Sequence, residues 1–329
     1  MLEIKQWAEI QDHFSDGLLL GNGASIGLHP GFKYGSLFDA ARISGVLSAN
    51  AASVFDKFET TDFEAVLYRL WHAKLVNEAL ELPHGPVEEA YESVRHSLVA
   101  TVREIHISHE AALPHLPHIY KFMQGFNTVI SINYDLIVYW AAMFSQDEIG
   151  LWFKDCFNQG RFRDDWQAMR EPYGKATGST LFFYPHGNLA LVRNLADEEI
   201  KIANNGGSLI DVIIDRWNSG RMTPLFVCEG DSNQKKASIG RSSYLHRVFR
   251  EVISEKKESL VIYGWGIGDH DSHILEQLRK AEIDRVAISV HGGNQDYALH
   301  AQRKLEDINI GEIVFFDAAS QGCWHNPST

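Results

Sequence analysis

The chain carries 329 residues, with 30 Lys and Arg against 43 Asp and Glu and a formal net charge of −13. Hydrophobic residues make up 45% and charged residues 22%, the balance of an ordinary globular chain and not of a disordered or fibrous one. The acidic excess also excludes a broad nucleic-acid footprint, because phosphate binding needs clustered Lys and Arg.

Short apolar runs read as strands, in chain order, at Gly17 to Leu20, Thr128 to Ile132, Leu181 to Tyr184, Pro224 to Cys228, Leu260 to Tyr263, Val286 to Val290 and Ile313 to Phe316. Most are apolar throughout, which suits strands buried on both faces of a parallel sheet. Helical stretches lie between the later ones, at Tyr244 to Ser254 and Asp271 to Ala281. Asp271 or Ser272 would cap the second, which places Ile274, Leu275 and Leu278 on one face. Two longer stretches break the alternation. The first, at about 36–119, is helical, with Phe63, Val66, Leu67 and Leu70 at helical spacing. The second, at about 137–179, is helical and then loop-like, and its Trp and Phe residues read as lid, oligomer interface or core.

This alternation predicts an α/β fold: a doubly wound, mostly parallel, Rossmann-like sheet with an inserted helical lobe. One domain is expected over 1–329, with its core at about 15–35, 120–136 and 180–329 and its insertions at about 36–119 and 137–179. Lys235-Lys236 and Lys256-Lys257 read as solvated faces. Cys156, Cys228 and Cys323 are scattered and odd in number, with no CxxC pair, so neither a zinc ribbon nor a disulfide framework is expected. No run approaches the roughly 18 apolar residues of a membrane span. Met1 to Gln6 lacks a signal pattern, so a soluble, cytoplasmic setting is expected.

Four clusters at strand ends carry candidate chemistry. The first, Gly21-Asn22-Gly23-Ala24-Ser25-Ile26-Gly27, follows a strand and reads as a phosphate cradle or as a structural turn. Its spacing is GxGxxxG, and Asp39 does not close a dinucleotide-binding unit, which disfavours a hydride-transferring dehydrogenase. The second, Ser131-Ile132-Asn133-Tyr134-Asp135, puts Asn133 and Asp135 where the carboxyl ends of strands face a ligand crevice; helix capping is the alternative. The third, Tyr184-Pro185-His186-Gly187, offers a histidine for general-base work or one bonded to a turn carbonyl. The fourth runs from Gly264-Trp265-Gly266 to His273. There His270 and His273 with Asp269 and Asp271 imitate a metal cluster, but capping acids with solvated histidines are the preferred reading. His109-Glu110-Ala111-Ala112-Leu113 has Leu where a zinc-protease helix needs its second His. The histidines from His84 to His118 read as surface residues, and Gly206-Gly207 and Gly292-Gly293 as turns. No P-loop occurs and no nucleophile elbow is recognised.

The order of these clusters resembles the sirtuin-like superfamily, and within it the bacterial zinc-free, NADase-type, defence-associated branch. Gly21, Gly23 and Ser25 match the Gly-Ala-Gly-x-Ser phosphate loop, with Asn22 in place of its alanine. Asn133 and Asp135 match the Asn-x-Asp element near the nicotinamide ribose. His186 with Gly187 matches the catalytic His-Gly, and Gly264 and Gly266 match the later Gly-x-Ser nucleotide loop, with Gly replacing Ser. Thr61-Asp62-Phe63-Glu64 looks like that family's acidic-aromatic helix start. The four-cysteine ribbon of the deacylases is absent. So is their Pro-Asp-Phe-Arg segment, where this chain reads His29-Pro30-Gly31-Phe32-Lys33-Tyr34; both absences count against acetyl-lysine recognition.

The resemblance implies the sirtuin-like, DHS-type NAD-binding fold and an NAD hydrolase that yields nicotinamide and ADP-ribose, as an antiphage effector. Asn133, His186 and Asp135 would be catalytic, and Gly21 to Ser25, Gly187, Gly264, Trp265 and Gly266 would bind NAD. No metal and no zinc are expected. A homo-oligomer and an operon-encoded protein partner are implied as well, with neither nucleic acid nor membrane. The alternatives are a non-catalytic NAD- or ADP-ribose-binding regulatory module and, third, a zinc-independent deacylase.

Overall fold

Leu18, Leu19 and Leu20 are all fully buried, yet they serve different cores: Leu18 and Leu20 join one apolar cluster and Leu19 the other. Val129 and Ile130 divide the same way, as do Val261 and Ile262. Side chains alternate across a strand, so a strand covered on both faces must be apolar at every position. The structure, a computed structural model, describes residues 1–33, 36–194, 196–203, 208–227, 230–324 and 326. The readings at Tyr34, Gly206-Gly207 and Cys228 lie outside the described residues.

The strands are β1 (Ile4–Lys5), β2 (Gly17–Leu20), β3 (Thr128–Ser131), β4 (Phe153–Lys154), β5 (Phe157–Asn158), β6 (Arg161–Phe162), β7 (Thr180–Phe183), β8 (Gly187–Asn194), β9 (Glu199–Lys201), β10 (Met222–Phe226), β11 (Ser259–Tyr263), β12 (Arg285–Val290) and β13 (Glu312–Asp317). Eight form one sheet in the order β1-β13-β12-β11-β2-β3-β7-β4, and every pairing in it is parallel. From β2 the chain winds outward through β3 and β7; from β11 it winds the other way through β12 and β13. The direction therefore reverses between the neighbours β2 and β11, which is where open α/β sheets bind ligands. The expected α/β, doubly wound, Rossmann-like sheet is the observed one.

Several elements differ from expectation. The strand read at Pro224 to Cys228 is β10, which lies outside the parallel sheet and pairs antiparallel with β8 in a three-stranded sheet, β10-β8-β9. β1 and β4 have two residues each, too few for any periodicity to register. The helical stretch between β2 and β3 includes the helices Phe63–Ala79 and Gly85–Ile105. Asp62 caps the first, its carboxylate accepting from the amides of Glu64 and Ala65. Glu64 lies 3.5 Å from Arg193 of β8 and 3.6 Å from Arg241, which ties this helix to the small sheet. Trp140 and Trp166, in the Trp-rich stretch, belong to the core.

Two lysines read as solvated are buried. Lys257 donates to the carbonyls of Val252 and Glu255, 2.8 Å from each, and burial lowers its pKa to about 8. Lys235 pairs with Asp271 at 2.8 Å. His106, read as a surface residue, is half-buried: its Nε2 accepts from the Leu136 amide at 3.2 Å, and its ring packs edge-on against Phe32 and Trp140. Among the described residues no helix is long and apolar enough to cross a membrane.

Candidate functional site

The two glycine loops, which follow β2 and β11, are packed against each other. The amide of Gly21 donates to the Tyr263 carbonyl at 2.9 Å and that of Gly23 to the Gly264 carbonyl at 2.7 Å. A Cβ at Gly21 would stand 2.5 Å from the Trp265 Cα, and one at Gly23 would stand 2.7 Å from the Gly264 oxygen. Gly264 has φ +68°, and its Cβ would fall 2.3 Å from the Ala24 nitrogen. These glycines are thus required by the contact between loops. The phosphate-cradle reading needed amide donors facing the crevice, but those of Gly21, Gly23 and Ala24 already bond to protein carbonyls. Gly266 differs: a Cβ there would have no neighbour within 4 Å.

The crevice above this contact has a volume of about 590 Å³ and is lined by residues from all four predicted clusters, among them Asn22, Asn133, Asp135, His186, Trp265 and Asp271. Gly23, Gly264 and Gly266 also line it. Gly21, Ala24, Ser25 and Gly187 are not part of that lining. A cavity of about 610 Å³ lies near Trp7, Phe14, His118 and Phe126, away from the carboxyl ends of β2 and β3 where the candidate side chains gather.

Asn133 and Asp135 leave β3 and turn toward the first glycine loop. The Asn133 amide donates to the Gly21 carbonyl at 3.0 Å and to Ser25 Oγ at 3.2 Å. Ser25 Oγ in turn donates to Asp135 Oδ2 at 2.5 Å. The other carboxylate oxygen accepts from the Ile137 amide at 2.9 Å, opening the helix Ile137–Phe144. Asp135 therefore both caps a helix and anchors the loop. Gly23-Ala24-Ser25-Ile26-Gly27 also spells the Gly-x-Ser-x-Gly of a hydrolase elbow, a match the sequence reading passed over. The geometry rules the elbow out, because Ser25 lies inside the helix Asn22–Leu28, is buried, and bonds to a carboxylate and an amide rather than to a histidine.

His186 follows β7 and is held by a turn at Gly187, where φ is +76° and a Cβ would strike the Leu225 oxygen. Gly187 is thus needed by the backbone beside β10. His186 Nε2 lies 2.8 Å from His273 Nε2, and the two rings meet nearly edge to edge, with centroids 5.0 Å apart and planes 27° apart. A second ring contact is a hydrogen bond to the Ile132 backbone. Burial lowers the pKa of His186 to about 4 and that of His273 to about 3, so both rings are neutral at pH 7. Asp271 does not cap the helix Ser272–Leu278. Its carboxylate takes Lys235 on one oxygen at 2.8 Å and the Trp265 indole N–H on the other at 3.3 Å. Burial disfavours the charged form of Asp271, but His186 and Lys235 hold its pKa down at about 2.

His273, expected to be solvated, is fully buried, whereas His270 stands at the exposed rim. Lys235 carried no signal for the site in the sequence, whereas His273 stood in the fourth cluster and was read as solvated. Both reach the site through tertiary contacts.

A family model described as "Domain of unknown function (DUF4917)" matches residues 18–324. Among solved structures, the chain is similar to one described as "Structural Basis for the Mechanism and Regulation of Sir2 Enzymes", at 12% identity, a TM-score of 0.37, and coverage of 94% of this chain and 90% of that one. No curated protein matches the chain.

Proposed function

The chain belongs to the DUF4917 family; on that premise, and from the chemistry of the crevice, we propose that it hydrolyses the nicotinamide N-glycosidic bond of NAD. The observation that carries this reading is the meeting of Asn133, Asp135 and His186 with both glycine loops in one crevice, at the point where the sheet reverses its winding. The resemblance of those residues to the sirtuin-like pattern supplies the substrate class.

In the proposed reaction, breaking the bond between ribose C1′ and the nicotinamide nitrogen releases neutral nicotinamide and leaves oxocarbenium character on the sugar. Water adds to C1′ and its proton passes to a base, giving ADP-ribose. Asn133 donates both amide hydrogens inward, which leaves its Oδ1 to orient the ribose or the water. His186, neutral at pH 7, supplies the lone pair that accepts the proton. Asp135, fixed by Ser25, holds the glycine loop in register and sets negative potential near the developing cation. Lys235 and the open backbone at Gly266 face the same crevice and are where the anionic part of the dinucleotide would meet the chain.

A second reading has an observation of its own. The Asn133 side-chain N–H groups and the Asp135 carboxylate are engaged within the protein, and His186 Nε2 is engaged by His273, as suits a module that binds NAD or ADP-ribose without turnover. Incubating the purified chain with NAD and separating the products by chromatography distinguishes the two. Equimolar nicotinamide and ADP-ribose support hydrolysis, whereas binding of NAD with no product over hours supports the module.

A further inference from the structure

His186, Asp271 and His273 bring three ligand atoms within 4.8 Å of one another, and all three residues are buried. The geometry points to a divalent transition-metal site formed by His186 Nε2, His273 Nε2 and one oxygen of Asp271, the arrangement that leaves coordination positions open to the crevice. This departs from the sequence expectation that no metal binds, and it stands whatever nucleotide the crevice takes, because its test reads metal binding directly.

Three features carry it. The donors are two imidazoles and a carboxylate, a set suited to zinc, cobalt or ferrous iron. The two Nε2 atoms are 2.8 Å apart, so the rings need to part by only a few tenths of an ångström to reach the roughly 3.0 Å of right-angled or roughly 3.4 Å of tetrahedral coordination at bond lengths of about 2.1 Å. Each ring also has a second hydrogen-bond partner, as metal-ligating histidines do. In His186 that partner is the Ile132 backbone; in His273 it is Ser232 Oγ, 3.4 Å from Nδ1, which also accepts from the His273 amide at 3.0 Å.

Without an ion, the short contact between rings requires one Nε2 to carry a hydrogen. With an ion, both Nε2 lone pairs point at the metal, and the hydrogens sit on the Nδ1 atoms, donated to Ile132 and to Ser232. The change is a tautomer shift in one ring, so no proton is lost. Lys235 keeps Asp271 Oδ1; the metal would take the second lone pair of Oδ2, beside the Trp265 indole N–H at 3.3 Å and within reach of His270 Nε2 at 3.4 Å. Ligation uses the same His186 lone pair that the proposed hydrolysis needs, so metal occupancy and that base role exclude each other.

The test uses full-length chain stripped with chelator and dialysed, titrated with Zn²⁺ by calorimetry and with Co²⁺ by absorption spectroscopy. The wild type is expected to bind one equivalent of Zn²⁺. Its Co²⁺ complex is expected to show visible bands of nitrogen and oxygen ligation, without the near-ultraviolet charge-transfer band of a thiolate. His273→Gln and Asp271→Asn should each weaken Zn²⁺ at least tenfold while the far-ultraviolet circular dichroism stays that of the wild type. The Co²⁺ spectrum reads the ligand type on the unmodified chain even where a variant misfolds. Failure of the wild type to bind an equivalent, a thiolate band, or unweakened binding by folded variants would each overturn the site.

Discussion

The amide nitrogen of Gly23 lies 2.7 Å from the carbonyl oxygen of Gly264, although the two residues belong to loops at opposite ends of the sequence. This contact fixes the floor of the crevice, and it makes glycine obligatory for steric reasons. Gly264→Ala places a methyl 2.3 Å from the Ala24 nitrogen on a backbone with φ +68°. It should destabilise the chain by about 2 kcal/mol or more. Gly266→Ala meets nothing within 4 Å and should change stability by no more than about 0.5 kcal/mol. Thermal or urea unfolding of the two variants side by side checks the contrast; equal effects would contradict it.

Ser25 and Asp135 form the second tie between the first loop and β3. Ser25→Ala leaves a buried carboxylate oxygen without the hydroxyl that donates to it at 2.5 Å, which should cost about 1–3 kcal/mol. Asp135→Asn keeps the shape and should cost less. A double-mutant cycle on the pair should give a coupling of at least about 0.5 kcal/mol; purely additive losses would show that the bond carries no stability.

Lys257 gives the chain a pH-dependent stability at alkaline pH. Its pKa is lowered by burial from 10.5 to about 8. Between these values the folded chain has released a proton that the unfolded chain still holds, so stability rises with pH across that window. Below pH 8 both states are protonated and the burial cost is fully present. Relative to Lys257→Met, the wild type should therefore gain stability from pH 8 to 10.5, at up to about 1.4 kcal/mol per pH unit. Urea unfolding of both proteins at each pH checks this; parallel curves would show that the ammonium is not desolvated.

The parallel core was legible because burial on both faces writes itself into composition. Gly17 to Leu20 is apolar throughout and is a strand to the residue. The places of Asn133, Asp135 and His186 beside the crevice were legible because they follow the ends of β3 and β7, and strand ends in such sheets face the crevice. What the sequence concealed depends on contacts between distant segments. His273 meets His186 across 87 positions, and Lys235 meets Asp271 across 36. In the sequence each stands among polar neighbours, which read as solvent-facing. The first loop's glycines were visible, but their purpose was not: the spacing that would admit a phosphate also admits another backbone.

The central claim is tested most directly by the rate of nicotinamide release from NAD by the wild type and by His186→Ala and Asn133→Ala, each verified as folded. The wild type should release nicotinamide, and the rate should drop about 10²–10⁴-fold in the His186 variant, with a similar loss for Asn133→Ala. Release at the wild-type rate by both variants would contradict it.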